Sequence, residues 1–222
     1  MNKYMGFYEL KAINLPTVPW QLFTADTVLD DNLLWTVRVA VESCNDLNLP
    51  RAVGVCADEA VQKGRALLEE YSGKGIVIYY PYFIAQKSGV MDINCHRTVI
   101  EAVDKDLWNL VTHGRKNVTV VFPLGLPGGD LQDEECICSA AACHPLQETS
   151  GDSVQYFGDE AFLDREETAE LLKYSAIIRG RFREELSEGK SIMAEWSYAF
   201  RTDTGHEPIG ERYLVFYELR GL

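Results

Sequence analysis

The stretch Tyr213-Leu-Val-Phe-Tyr-Glu-Leu-Arg220 carries two charged side chains in an otherwise apolar run that is typical of a buried β-strand. Side chains alternate between the two faces of a strand, so Glu218 and Arg220 share one face. The opposite face is apolar and carries Tyr213, Val215, Tyr217 and Leu219. A polar face on such a strand meets either water or a binding site.

A second candidate strand, Ile192-Met-Ala-Glu-Trp-Ser-Tyr-Ala-Phe200, repeats this arrangement. Glu195 and Ser197 occupy one face, and the other face carries Ile192, Ala194, Trp196, Tyr198 and Phe200. If the two strands are neighbours, two acids and an arginine converge on one side of a sheet. Half-buried antiparallel strands often turn such a face to water, so solvent exposure and a binding site both stay open as interpretations.

The rest of the chain predicts an α+β (mixed α/β) domain with an antiparallel-rich sheet and two main helices. The strand-like run 34–41 places Arg38 opposite Val37, Val39 and Val41, so a basic side chain again emerges from an apolar strand. Three further β-rich segments cover residues 75–84, 97–103 and 117–122. Ser-Gly, Lys-Asp and His-Gly pairs predict turns between these segments.

Apolar spacing predicts the two helices. Residues 58–71 follow the pattern of an amphipathic helix, with Asp58 as the N-cap and Gly73 as the stop. A longer helix begins at Asp164, where Glu167 completes a capping-box pattern, and ends near Gly189.

Two segments lack a regular pattern. The first residues, to about Trp20, contain prolines that favour an extended lead-in segment. Residues 124–160 are rich in Gly, Pro, Asp, Glu and Ser, which predicts a long loop.

Composition limits the classes of partner. The 222 residues are 46% hydrophobic and 25% charged, as in ordinary globular proteins, and the net charge is −13. Duplex binding needs clustered Lys and Arg, so this charge argues against a nucleic-acid partner but not against small nucleotides. No apolar run approaches the roughly 20 residues of a membrane span, and the first residues do not resemble a signal peptide. We therefore expect a cytoplasmic protein without a membrane partner.

Six cysteines occur at uneven spacing, and without a secretion signal we expect most of them to be reduced. Cys136, Cys138, Cys143 and His144 offer soft metal ligands within one short stretch, and Cys95-His96 could add two more. The usual C-x-x-C knuckle is absent, so we expect this cluster to hold no metal.

In their order, several fragments resemble the ATP-grasp nucleotide-binding domain of phosphoenolpyruvate synthase, pyruvate phosphate dikinase and rifampin phosphotransferase. The family's leader L-P-x-P and its strand V-R-S-S are similar to Leu15-Pro-Thr-Val-Pro-Trp and Thr36-Val-Arg-Val-Ala40. Its central motifs are similar to Asn45–Gly54, Val77–Phe83, Ser88-Gly-Val90 and Val99-Ile-Glu-Ala102. Its I-E-W-A and Q-x-R-P endings resemble Ala194-Glu-Trp-Ser197 and Glu218-Leu-Arg220, on the two unusually charged strands.

The resemblance implies a site for ATP and Mg²⁺. Arg38 and Arg220 would contact the triphosphate, because guanidinium groups bind phosphate well. Glu195 and Glu218 would hold Mg²⁺ against the phosphates.

The resemblance also implies an adenine site and a domain plan. Backbone groups near Tyr80 and Tyr82 would bind adenine at a hinge between lobes, and Glu101 would support the ribose or the sheet. One domain would cover residues 1–222, with a reduced N-terminal lobe of about 1–75 and a loop insertion of about 124–160. The first lobe lacks the family's glycine-rich segment, and Lys11 is the candidate for its lysine.

Three functions stay open. The chain is an ATP-dependent phosphotransferase or ligase component that acts with a partner chain or a small acceptor, a degenerate interaction or nucleotide-sensing module, or a cysteine-cluster metal protein. In the degenerate case, Arg220 would pair with Glu195 and Arg38 with Glu42, with no need of a ligand.

Overall fold

A computed structural model describes residues 1–42, 49–124 and 154–222 of the chain. It confirms the α+β class: helices pack on two antiparallel sheets. We name the part built on the four-stranded sheet the small lobe and the part built on the six-stranded sheet the large lobe. No helix among the described residues is long and apolar enough to cross a bilayer.

The small lobe has the strand order β1-β4-β2-β3 and one covering helix. Its elements are β1 (Gln21–Leu22), β2 (Trp35–Val41), β3 (Arg51–Val55), α2 (Ala57–Glu70) and β4 (Gly75–Pro81). As predicted, Val37, Val39 and Val41 share the buried side of β2, and they pack in one apolar cluster with Ala60 and Leu67 of α2. Cys56, rather than the predicted Asp58, occupies the N-cap position of α2.

The large lobe has the strand order β10-β9-β5-β6-β7-β8. Its strands are β5 (Phe83–Ile93), β6 (Arg97–Asp104), β7 (Val118–Pro123), β8 (Gln155–Gly158), β9 (Ile192–Thr202) and β10 (Pro208–Gly221). Its helices are α3 (Trp108–Val111), α4 (Arg165–Arg181) and α5 (Arg183–Ser187). Leu171 and Ile178 of α4 are fully buried in the cluster that contains the apolar face of this sheet. The predicted capping box of Asp164 and Glu167 is present.

The N-terminal segment joins the two lobes. Helix α1 (Lys3–Ala12) contacts both β10 and β2. The chain at residues 16–18 then lies along the outer edge of β10, where Phe216 donates to Pro16 O and Val18 donates to Phe216 O. This cover protects an edge strand that would otherwise expose unpaired backbone groups.

The predicted extended lead-in segment is therefore wrong for residues 3–12 and right for the proline-containing residues after them. The Asn2 side chain accepts from the Met5 N–H and caps α1. Gly6 allows close packing, because a Cβ there would lie 1.8 Å from Leu219 O.

Strand β5 occupies a central position in the large sheet, although Ser88-Gly89 predicted a turn there. Gly89 sits in mid-strand, where a Cβ would lie 2.4 Å from the Trp196 ring. The glycine thus makes room for an indole on the neighbouring strand β9.

Part of the predicted loop and its cysteines lie outside the described residues. These include Cys136, Cys138, Cys143 and His144. Within the predicted loop, residues 155–158 form strand β8 at the edge of the sheet. Cys56 and Cys95 are exposed free thiols.

Candidate functional site

A cleft of about 550 Å³ lies between the two lobes. Six of the seven residues predicted for the site line it: Arg38, Tyr80, Tyr82, Glu195, Glu218 and Arg220. Lys3, Arg51, Asp106 and Trp108 also line the cleft, together with Ser88, Ser197 and Tyr217. Because β4 ends at Pro81 and β5 begins at Phe83, the chain passes from one lobe to the other through Tyr82.

The two predicted metal ligands face each other across neighbouring strands. Glu195 on β9 and Glu218 on β10 are directly opposite in the antiparallel register, which places their Cβ atoms about 4.5–5.5 Å apart. The two residues are only 8% and 3% exposed. The interpretation that this polar face simply meets water is therefore wrong, because the cleft encloses it.

Three cations surround the carboxylate of Glu218. Arg38 Nη2 donates to Glu218 Oε2 at 2.8 Å, and Lys3 Nζ lies 3.2 Å from Oε1. Arg220 stands further away, with Nε 3.8 Å from Glu218 Oε1 and Nη2 3.9 Å from Glu195 Oε1. Arg38 thus pairs with Glu218 and not with Glu42, the partner expected in the absence of a ligand. The other expected pair, Arg220 with Glu195, is present only at this long distance.

The polar groups of this cluster are incompletely satisfied. Glu218 Oε1 and Arg220 Nε are buried and have no hydrogen-bond partner among the described residues. An unsatisfied buried charged group costs free energy, so a polar ligand that reaches either atom would recover part of this cost.

The two carboxylates differ in acidity. Burial, and then the charge of Glu218, raises the pKa of Glu195 to about 7. Burial alone would raise the pKa of Glu218 as well, but the three neighbouring cations, led by Arg38, lower it. Glu218 is therefore the more acidic member of the pair, and Glu195 is the member that holds a proton more readily.

Arg38 stays charged despite its position. Burial alone would lower its pKa, but Tyr80 and Glu218 raise it above the ordinary value. Its guanidinium also lies over the ring of Phe7, 5.3 Å from the centroid, so α1 supports it from below.

At the hinge, one of the backbone groups predicted to bind adenine already has a hydrogen-bond partner within the chain. The Tyr82 N–H donates to Leu34 O at 2.8 Å, and Tyr80 lies in the ladder opposite Thr36. The side chains of both tyrosines line the cleft, but the Tyr82 amide is not free to bind a ligand.

Glu101 is placed elsewhere. It lies on β6, where its carboxylate pairs with Lys116 at 2.6 Å and accepts from Thr119 Oγ1 at 3.4 Å. It does not line the cleft, and its contacts fit the second predicted role, support of the local sheet.

Sequence reasoning missed several lining residues. Lys3 was hidden because α1 was not predicted, whereas the proposed Lys11 lies over the Trp20 ring, 3.7 Å from its centroid. Tyr217 lines the cleft beside Glu218, since the register of β10 shifts between Phe216 and Glu218 and strict alternation fails there.

A row of hydroxyl groups continues from the charged cluster. Ser88 Oγ donates to Lys105 O at 2.6 Å and lies 2.8 Å from Ser197 Oγ, which lies 3.5 Å from the Tyr217 hydroxyl. Burial raises the pKa of Tyr217 well above its ordinary value, so its phenol stays a neutral donor.

Comparisons with models of known protein families and with curated protein sequences give no match.

Proposed function

We propose that this chain binds a Mg²⁺-nucleotide, with ATP as the principal candidate, in the cleft between its lobes. Lys3, Arg38 and Arg220 would hold the phosphates, and Glu195 and Glu218 would hold the metal ion. The observation that carries the proposal is the convergence of these five side chains, from both lobes and α1, at one end of the cleft. As an enzyme, the chain would be a phosphotransferase or ligase component.

The charge of the cleft supports an anionic ligand. Four cations and three carboxylates line it: Lys3, Arg38, Arg51 and Arg220 against Asp106, Glu195 and Glu218. The chain as a whole has a net charge of −13, so this local excess of cations is contrary to its composition. Partial protonation of Glu195 increases the excess further. Such a cleft concentrates anions.

Glu195 and Glu218 suit a magnesium ion that binds together with the phosphates of the nucleotide. Among the described residues, no group of three or more His, Cys, Asp or Glu side chains could hold a metal alone. Magnesium commonly uses one or two carboxylates together with substrate phosphates, and Glu218 Oε1, which has no hydrogen-bond partner among the described residues, would serve as such a ligand. A bound Mg²⁺ would neutralise phosphate charge, and it would favour the ionised form of Glu195.

Phosphoryl transfer depends mainly on positioning and charge stabilisation, so these residues suffice in kind. Arg38 is rigidly held by Glu218 and would orient the phosphates. Arg220 has no hydrogen bond to either carboxylate and can turn to the ligand. A small acceptor or a partner chain would supply the group that receives the phosphate.

A second candidate is a non-catalytic interaction or sensing module. The 2.8 Å pair of Arg38 and Glu218 favours it, because this pair satisfies two of the charges without a ligand. A cysteine-cluster metal protein is a third candidate, whose ligands lie outside the described residues.

Arg220→Met separates the first two candidates. Calorimetry with MgATP should give binding to the native chain and at least ten-fold weaker binding to the variant, because one phosphate contact is lost. The free energy of unfolding should fall by less than about 1 kcal/mol, since the contacts of Arg220 with the acids are long.

Arg181→Met is the matched control. Arg181 pairs with Glu9 on the surface, with both contacts at 3.0 Å, and does not line the cleft. It should leave MgATP affinity unchanged. Absence of heat with any Mg²⁺-nucleotide at millimolar concentration, or equal affinity of Arg220→Met and the native chain, would overturn the proposal.

A further inference from the structure

We propose that the end of the cleft remote from Glu195 and Glu218 binds an aromatic nucleobase by stacking on the ring of Trp108, where the base takes the place of the Arg51 guanidinium. This inference rests on the proposed function. It assigns a binding position to the base of the nucleotide, for which the phosphate-binding residues provide none. It places base recognition on a side chain of the large lobe instead of the hinge amide.

The strand register gives the cleft a direction. Arg220 lies opposite Met193, Glu218 opposite Glu195, and Ser197 opposite Ser88. Further along, β9 pairs with the start of β5 near Phe83, next to the hinge. The charged cluster is therefore at one end, the hydroxyl row lies between, and the hinge is at the other end. A ligand with phosphates at the first end extends its remaining groups toward the second.

Trp108 stands at this second end. The Ser88 hydroxyl donates to Lys105 O, which ties the segment before α3 to the sheet at the hydroxyl row. Asp106 accepts from the Trp108 N–H at 2.8 Å and fixes the start of the helix. Trp108 remains 46% exposed although it lines the cleft, so much of its side chain is accessible.

Arg51 approaches that ring from the opposite lobe. Its Cζ lies 5.3 Å from the centroid of the Trp108 ring, and both side chains line the cleft. Val53, two residues further on β3, lines the same wall. At this distance the guanidinium is in direct contact with the indole and leaves no space for a base between them, so a base would stack on the indole after Arg51 turns aside. The contact with a planar cation shows that this ring is placed to stack on a planar group.

A stacking site on Trp108 has limited means to distinguish one base from another. The Tyr82 N–H already donates to Leu34 O, so that hinge donor cannot read the edge of a base. Stacking is tolerant because every base has a π-face. We therefore expect ATP and GTP to bind within about ten-fold of each other.

The experiment compares MgATP with magnesium tripolyphosphate, which has the phosphates but no base. Calorimetry of Trp108→Ala should show MgATP binding weakened about ten-fold and tripolyphosphate binding unchanged. Trp108→Phe should recover most of the MgATP affinity because phenylalanine also stacks. Phe157→Ala, which removes an aromatic side chain that is 56% exposed outside the cleft, is the control and should change neither ligand.

Fluorescence gives an independent measurement. Trp20, Trp35 and Trp196 are buried, so quenching by MgATP in the native chain should come from Trp108 and disappear in Trp108→Phe. If Trp108→Ala weakens both ligands equally, or neither, or if quenching persists in Trp108→Phe, the base site is wrong and the phosphate site stands. If the native chain binds neither ligand, both proposals fail.

Discussion

Two buried acidic clusters lie on opposite faces of the large sheet, and they differ in how fully their hydrogen bonds are satisfied. On the face covered by α4, Glu167 is 2% exposed and accepts from Lys87 at 2.7 and 3.0 Å. Arg212 donates to its Oε1 at 2.6 Å, and the Asp164 N–H donates to its Oε2 at 2.9 Å. Each carboxylate oxygen of Glu167 therefore has two donors.

The cluster in the cleft is different. Glu218 has one short hydrogen bond, from Arg38, whereas its second oxygen lies 3.2 Å from Lys3 Nζ but has no hydrogen-bond partner among the described residues. For Glu195, the nearest cation among the described residues is Arg220 at 3.9 Å. The strong shift in acidity accordingly falls on Glu195, whose burial is not compensated by close partners.

The difference separates a structural charge cluster from a candidate binding site. Burial alone does not distinguish the two, because Glu167 and Glu218 are equally enclosed. The number of unsatisfied hydrogen-bonding groups beside a cavity distinguishes the two clusters, because a cluster whose hydrogen bonds are complete gains none from a ligand.

The largest expected effect is on the satisfied cluster. Glu167→Gln removes the charge but keeps the shape, so Lys87 and Arg212 lose their counter-ion. We expect the free energy of unfolding to fall by about 3 kcal/mol, as for other broken buried pairs. Urea unfolding measures this, and Glu188→Gln, in an exposed pair with Lys190, should change it by less than about 0.5 kcal/mol. Equal losses in the two variants would remove the distinction drawn above.

A smaller effect is expected from the protonation of Glu195. Its pKa is about 7 in the folded chain against an ordinary 4.5, so the folded state binds the proton more tightly than the unfolded state. This contribution to stability is complete below about pH 4.5 and is lost as the pH rises through about 7. Relative to Glu195→Gln, the native chain should lose roughly 2 to 3 kcal/mol between pH 5 and pH 8.

Urea unfolding at several pH values checks this prediction. The exposed Glu188 serves as the control, because the hydrogen bond from Lys190 lowers its pKa and leaves it ionised throughout this range. A pH-independent difference between the native chain and Glu195→Gln would show that burial of Glu195 is compensated by partners after all.

The smallest effect concerns the cap that joins Glu167 to its helix. Asp164→Ala removes the acceptor of the Glu167 N–H but leaves the two cation pairs in place. Urea unfolding should show a loss of about 1 kcal/mol in the free energy of unfolding, typical of an N-cap, and calorimetry should show an unchanged MgATP affinity. A loss near that of Glu167→Gln would mean that the cap, rather than charge pairing, holds this cluster together.

The charged faces of β9 and β10 could be predicted because alternation is a local property of a strand. Glu195, Glu218 and Arg220 share the face that their spacing predicts. The placement of Tyr217 could not be predicted, because a bulge depends on the pairing partner and leaves no signal in the strand itself.

Lys3 and Gly89 illustrate two other limits. The Asn2 cap and the spacing of Phe7 and Leu10 were available signals for α1, but the prolines after it dominated the interpretation. Gly89 looks like a turn residue until the Trp196 ring is placed above it, and that contact joins residues far apart in the sequence. Secondary-structure propensity depends on neighbours in the sequence, whereas tertiary packing determines the structure at these positions.

A single residue, Tyr82, separates β4 of the small lobe from β5 of the large lobe. Side chains alternate between the two sides of an extended chain. The number of residues between β4, which pairs with the strand of Arg38, and β5, which carries Ser88, therefore decides which side chains of each lobe face the cleft. Insertion of one residue at Tyr82 would leave both sheets able to form but would turn one wall of the cleft relative to the other. At this junction the spacing of the chain is therefore a stricter constraint than the identity of its residues.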